Sequence, residues 1–391
     1  MEIELWWLLA LPVFFVLGWI AARIDIKQLE HESRALPRSY FKGLNFLLNE
    51  QPDQAIEAFI EAARVDPETI EMHFALGNLF RRRGEADRAI RVHQNLIERD
   101  GLTDEQRLHA LAELGQDYLK AGLLDRAEEI FLKLRSTSRD DEALKNLLEI
   151  YQQEKEWAKA IVIAESLPGH ADHLWQKEIA EFRCEMAAGE LLHGRHEEAR
   201  RLLEEALVAN RKCVRALMLL GDLEQKLGAG ATAIDYWSRI EQHNPAYLAL
   251  IAERLMQAFT QLGRAAQGLD LLRGWLQLHP SYDLLEAVYQ AELQASGAEP
   301  AYRLVKDELR RTPTLLGLDK FLEAQLLVTP SERRADLEVV KNLIHAHTRR
   351  VARYCCTQCG FKARQFYWRC PGCGGWETYP PKRSEEFDIT P

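Results

Sequence analysis

A chain of 391 residues, 47% hydrophobic and 28% charged, has material for two or three domains or one long repeat array, and general disorder is excluded. Fifty Lys and Arg against sixty Asp and Glu leave a formal charge of −10, which argues against nucleic-acid binding by the surface as a whole. With 22 glycines and 14 prolines, collagenous and low-complexity classes are excluded as well.

The first segment, Leu5 to Ala22, reads LWWLLALPVFFVLGWIAA without a charge. A helix of that length covers about 27 Å, close to a bilayer core. Trp6, Trp7 and Trp19 lie near its ends, where indole rings favour the interface. The acidic start, with Glu2 and Glu4, is wrong for a cleavable signal peptide. Arg23, Lys27, Arg34, Arg38 and Lys42 follow the span and no Lys or Arg precedes it, so the positive-inside rule predicts an external N-terminus and a cytoplasmic remainder. The expected organisation is a transmembrane helix at 1–22, a linker at 23–35, a repeat array at 36–348, a metal-binding ribbon at 349–380 and a tail at 381–391.

From about residue 36 the pattern is helical with short breaks and an internal period. Gly43, Ala55, Phe59, Ala62 and Pro67 set the scheme, and Gly77 and Ala89 repeat its first offset 34 residues later. Gly115, Tyr118, Ala127, Phe131 and Leu134 follow it, as do Gly221, Ala233, Trp237, Ile240 and Pro245. Phe259, Gly268, Leu272, Trp275 and Pro280, then Ala301 and Pro313, continue the series. The pattern resembles the tetratricopeptide repeat, about eight units and a closing helix pair. Small residues at the eighth and twentieth positions are expected to let two helices approach, and the aromatic four residues past the second to fill the gap to the next unit. Spacing loosens near 137–141 and 168–173, and Ala160 and Ala199 are 39 residues apart.

Such an array is expected to be a scaffold. Trp157, Trp237 and Trp275 read as core between repeats, and Arg81-Arg82-Arg83 and Glu197-Glu198 as solvated faces. His193 and His196 lack the surroundings of a metal motif, and Gly228–Thr232 reads as a turn without the lysine of a phosphate loop. Cys184 and Cys213 read as small apolar fillers.

The other five of the seven cysteines crowd together near the end. Cys356-Thr-Gln-Cys359-Gly360 and Cys370-Pro-Gly-Cys373-Gly374 are matching knuckles, each aiming two sulfurs at one point. The predicted ligands of one structural metal ion are Cys356, Cys359, Cys370 and Cys373, with zinc preferred and iron the alternative. Cys355 is left as a neighbour. Phe361, Phe366, Tyr367, Trp368 and Trp376 are expected to form a small core and to pack against the repeats. Arg349, Arg350, Arg353, Lys362, Arg364 and Arg369 make the region locally basic, but the acidic chain and its tether favour docking over nucleic-acid binding. The fold class expected is mostly α: a transmembrane helix, a tetratricopeptide solenoid and a rubredoxin-like zinc ribbon. No catalytic constellation is found, so an enzyme is not expected.

Anchor, array and ribbon in this order, with WWLLALP in the first and YWRCPGCGGW in the last, resemble the lipopolysaccharide assembly protein B (LapB) family. The resemblance implies a non-enzymatic adaptor at the bacterial inner membrane, which presents the LpxC deacetylase to the FtsH protease and is restrained by a lipopolysaccharide-sensing inner-membrane regulator. A non-proteolytic scaffold for lipopolysaccharide assembly or export is the alternative, and a homodimer is left open.

Overall fold

The structure, a computed structural model, describes residues 38–49, 51–65, 70–168 and 175–385. The apolar span expected at 5–22 and its linker lie outside them. Among the described residues no helix is long and apolar enough to cross a membrane. The chain separates into two compact units, Met1–Glu154 and Lys155–Pro391.

The first unit is a run of helical hairpins: α1 (Arg38–Leu48), α2 (Pro52–Val65), α3 (Ile70–Arg82), α4 (Ala86–Ile97), α5 (Asp104–Lys120), α6 (Leu124–Leu134) and α7 (Asp140–Glu154). Each helix packs on the next in the chain, the arrangement of stacked repeats. Glycine makes the sharp turns. Gly84 and Gly122 stand at φ +80° and +73°, where an L side chain would cost about 1 kcal/mol. The Gly84 amide donates to Arg81 O at 3.0 Å and the Glu85 amide to Phe80 O at 2.9 Å, closing α3, and the same pair of bonds closes α5 at Gly122 and Leu123.

The small residue of the first helix makes room for a side chain. A methyl on Gly43 would lie 2.9 Å from the Phe59 ring and one on Gly115 2.7 Å from the Phe131 ring, and His93 sits on Gly77 in the same way. The ring four residues past the second small residue thus caps the glycine of its own hairpin. The same side chain also reaches the next hairpin: His93 meets Asp117 in α5, and Phe59 packs in one cluster with Met72 and Leu76 of α3.

His93 brings a polar group into this buried position. Its Nδ1 lies 2.5 Å from Asp117 Oδ2, Asp117 Oδ1 accepts from Arg81 Nη1 at 2.8 Å, and Arg81 Nη2 donates to Glu113 at 2.6 Å. His93 and Asp117 are fully buried. Arg81 is therefore not the solvated charge expected; it ties α3 to α5, while Arg82 and Arg83 are exposed. Burial opposes ionisation of Glu113, yet the Arg81 hydrogen bond and charge hold its carboxyl below the usual range. Removing one partner of a buried pair strands the other. Asp117→Ala is therefore expected to cost about 3 kcal/mol, read as a lower urea midpoint, and an unchanged midpoint would refute the role given to the network.

The second unit holds α8 (Trp157–Ser166), α9 (Gln176–Leu192), α10 (His196–Ala209), α11 (Val214–Lys226), α12 (Gly230–Ser238), a short α13 (Ile240–His243) and a 3-10 turn (Pro245–Tyr247). It continues with α14 (Leu248–Gln261), α15 (Ala265–Leu278), α16 (Tyr282–Ser296), α17 (Ala298–Arg311), α18 (Leu315–Val328) and α19 (Ser331–Val351). Of the glycine-rich stretch expected as a turn, Gly228 at φ +85° makes the bend, whereas Gly230–Thr232 already belong to α12. Pro280 and Pro313 follow α15 and α17, and Ser281 and Thr314 cap the next helices through the Leu284 and Gly317 amides at 3.2 and 3.0 Å. Trp237 and Trp275 are buried core, as their helical spacing predicts. Three short strands close the unit, β1 (Ala352–Cys355), β2 (Lys362–Ala363) and β3 (Ser384–Glu385), in the order β2-β1-β3. The sheet thus reaches into the segment expected as tail, because β3 pairs with β1 through Ala352↔Glu385 and Arg353↔Ser384.

Candidate metal centre

The two knuckles are built alike. Gly360 and Gly374, at φ +74° and +70°, donate their amides to Cys356 O and Cys370 O at 3.0 and 2.9 Å. The amides of Cys356 and Cys370 in turn donate to Phe361 O and Gly375 O, both at 2.9 Å. Each turn is thereby locked with its sulfurs facing inward. Gly372 fits between them: a methyl there would lie 3.0 Å from Phe361 Cβ and 3.3 Å from Cys359 Sγ.

The four sulfurs of Cys356, Cys359, Cys370 and Cys373 lie within 4.8 Å of one another. Cys356 and Cys373 are 3.8 Å apart, Cys359 and Cys370 3.7 Å. A tetrahedron of sulfurs about 2.3 Å from a central zinc or iron has edges of about 3.8 Å, so the donor set fits a tetrathiolate ion. The Thr378 hydroxyl stands 3.4 Å from Cys356 Sγ as an outer partner. Burial opposes it, but that hydroxyl and the amides of Cys359 and Gln358 draw the Cys356 thiol down to about 6. The Phe361 amide favours the Cys359 thiolate, yet desolvation and the neighbouring sulfurs push that thiol up to about 12. Four thiolates at this spacing need a cation among them. Cys355 ends β1 and stays outside the cluster, its Sγ 3.7 Å from Cys356 O and 3.9 Å from Gly360 O.

The ribbon's core forms around a residue that the spacing did not single out. Tyr379 is fully buried, and its hydroxyl donates to Tyr354 O at 3.1 Å. Phe361, Phe366 and Tyr367 ring it with centroids 6.3, 6.4 and 5.9 Å away. Trp368 and Trp376 turn outward onto the repeats, as expected of the aromatic set. Trp368 stacks on Tyr247 at 5.4 Å and 11°, and Trp376 meets Trp157 and Phe182 edge-on at 6.1 and 6.0 Å. Trp157 is thus shared with the ribbon, a correction to its reading as core between repeats alone. The Arg215 guanidinium lies 5.4 Å from the Trp368 centroid and 6.0 Å from that of Trp376. Arg383 donates to Asp283 through its amide at 2.8 Å and Nε at 2.6 Å, and Lys177 pairs with Glu377 at 3.1 Å.

Among the other residues singled out from sequence, Cys184 and Cys213 are fully buried with sulfurs 3.8 Å apart; both pack in an apolar cluster, but Cys213 also meets the Glu181 carboxylate at 3.8 Å. His193 is exposed and Glu197 and Glu198 are too. Burial pushes the Cys184 thiol well up.

The rubredoxin metal binding domain model matches residues 354–381, and the tetratricopeptide repeat model matches 42–100 and 190–247. The chain is 36% identical over 381 residues to lipopolysaccharide assembly protein B of Escherichia coli (strain K12), covering 96% of this chain and 97% of that protein. It is 32% identical to lipopolysaccharide assembly protein B of Haemophilus influenzae over 99% of this chain and 100% of that one. Among solved structures, the TPR2AB domain of yeast Sti1 in its pHSP90 complex aligns over 69% of this chain and 97% of its own at 17% identity and a TM-score of 0.31, too low to argue from. With 32–36% identity running almost end to end, the chain belongs to the lipopolysaccharide assembly protein B family.

Proposed function

We propose that this chain is a non-catalytic adaptor of lipopolysaccharide biosynthesis, anchored in the inner membrane by residues 5–22 with its N-terminus periplasmic and its repeats and ribbon cytoplasmic. The observation that carries a role in lipopolysaccharide assembly is the near full-length alignment with relatives of that name. The finer reading, delivery of the LpxC deacetylase to the FtsH protease under restraint by a lipopolysaccharide-sensing regulator, follows the family resemblance. Physical reasoning favours it: a tether confines adaptor and membrane protease to one surface and raises their effective concentration, and stacked repeats offer an extended face to a protein substrate. Cys356, Cys359, Cys370 and Cys373 would hold one ion, zinc by preference over iron. It supplies charge neutralisation and a fixed ribbon fold.

The relatives' name favours a second reading, a non-proteolytic scaffold for lipopolysaccharide assembly proteins. One experiment separates the two. After new synthesis is blocked, the deacetylase is expected to decay several-fold more slowly in cells depleted of this chain, and a form lacking residues 1–22 is expected not to restore the rate. Unchanged decay would remove the proteolytic reading and leave the scaffold.

A further inference from the structure

Where the ribbon meets the repeats, donors from three separate elements converge. Glu181 comes from the middle of α9, Cys213 from the residue before α11, and Glu377 from the ribbon just past Trp376. One donor atom of each lies within 4.8 Å of the other two. Glu181 and Cys213 are fully buried, and the Glu377 side chain is 14% exposed.

Each carboxylate is held by a cation through one oxygen. Glu181 Oε2 accepts from Arg215 at 3.2 Å, and Oε1 accepts from the Cys213 thiol at 3.8 Å, a proton that a bound ion would replace. Glu377 Oε2 pairs with Lys177 at 3.1 Å. Hydrogen-bond donors that hold one oxygen and orient the other are common in the outer shell of a metal-binding carboxylate. Cys184 Sγ lies 3.8 Å from Cys213 Sγ but is not one of the three clustered donors. Glu377 itself adopts φ +52°, a left-handed backbone that a glutamate takes up only under constraint.

We propose that Glu181, Cys213 and Glu377, with water in the fourth position, form a second metal site, which clamps the ribbon to α9 and α11. Mixed thiolate and carboxylate donors select a borderline-soft divalent ion of the zinc class over magnesium or calcium. The local charge has room for it. The carboxylates of Glu178, Glu181, Glu185 and Glu377 gather here with the cations Arg215 and Lys177, and burial pushes the Glu181 carboxyl up to about 7 and raises that of Glu178. On binding, the Cys213 thiol releases its proton to solvent and the ion takes its place. This site shares no donor with the four-sulfur cluster, and two of its three donors come from the repeats rather than the ribbon.

The test is metal stoichiometry on the full chain, with zinc and then cobalt as the probe. Wild-type protein is expected to hold two zinc ions per chain by elemental mass spectrometry. Glu377→Gln and Cys213→Ser are each expected to hold one, with circular dichroism and the tetrathiolate absorption of the cobalt form unchanged. The paired change Cys184→Ala with Cys213→Ala keeps the apolar packing and is expected to behave as Cys213→Ser does. One zinc per chain in saturated wild-type protein would overturn the proposal whether or not any variant folds. Two ions persisting in both Glu377→Gln and Cys213→Ser would overturn it too.

Discussion

Serine at Cys370 will free the ribbon from the repeats. Three sulfurs and a hydroxyl hold zinc poorly, and the ion's binding is worth on the order of 10 kcal/mol to a module of this kind. Little else could hold so small a unit folded: β1, β2 and β3 contribute two to four residues each, and the core is centred on Tyr379. Cys370 also sits two residues from Trp368 and in the knuckle that leads to Trp376, so loss of the turn withdraws both indoles from Tyr247, Trp157 and Phe182. The cobalt form of Cys370→Ser should lack tetrathiolate absorption, and trypsin should cut between residues 352 and 385 at least tenfold faster than in wild type. Chelation of the wild-type chain should reproduce both changes. A variant that keeps the absorption and resists trypsin would show that four sulfurs do not hold the ribbon together.

Alanine at Gly221 should be the most damaging single methyl in the repeats. Built on that backbone, it would overlap Trp237 Nε1 and lie 2.6 Å from Cδ1 and 2.7 Å from Cε2. The indole has no way out: it is fully buried, and its Nε1 donates to Met218 O at 3.3 Å. Overpacking of this severity costs about 3 kcal/mol. For a unit of this size that lowers the melting temperature by roughly 6–12 °C. Gly274, inside α15, is the matched control, since a methyl there meets nothing within 4 Å. Its alanine variant should gain about 0.5–1 kcal/mol from helix propensity alone. Equal responses at the two glycines would mean that close approach is not why Gly221 is small.

The repeats were legible because their geometry is written locally. A small residue twelve positions before another marks a hairpin wherever it occurs, and the glycines at Gly84 and Gly122 mark its turn. The knuckles were legible for the same reason, since two cysteines and a glycine within five residues dictate one turn. What pairs across the fold was not. Arg81 looks like its neighbours Arg82 and Arg83 until α5 brings Glu113 and Asp117 against it. Glu181 stands among Glu178 and Glu185 on one helix, and no periodicity tells which of them meets Cys213. Tyr379 follows the last cysteine, where no knuckle spacing marks it, and nothing near Trp157 in sequence announces the ribbon.

The contact between Trp376 and Trp157 joins the last module of the second unit to its first helix. Hairpins that touch only their neighbours melt as a row, fraying inward from an open end. Here a strap runs over α8, α9, α11, the 3-10 turn and α16, so no hairpin beneath it can leave without also breaking its hold on the strap. The row becomes a closed ring of dependencies, and cooperativity spreads from single repeats to the whole span. The closure has a kinetic side as well: it cannot form until helices far apart in the chain are already in place, so the strap fastens last.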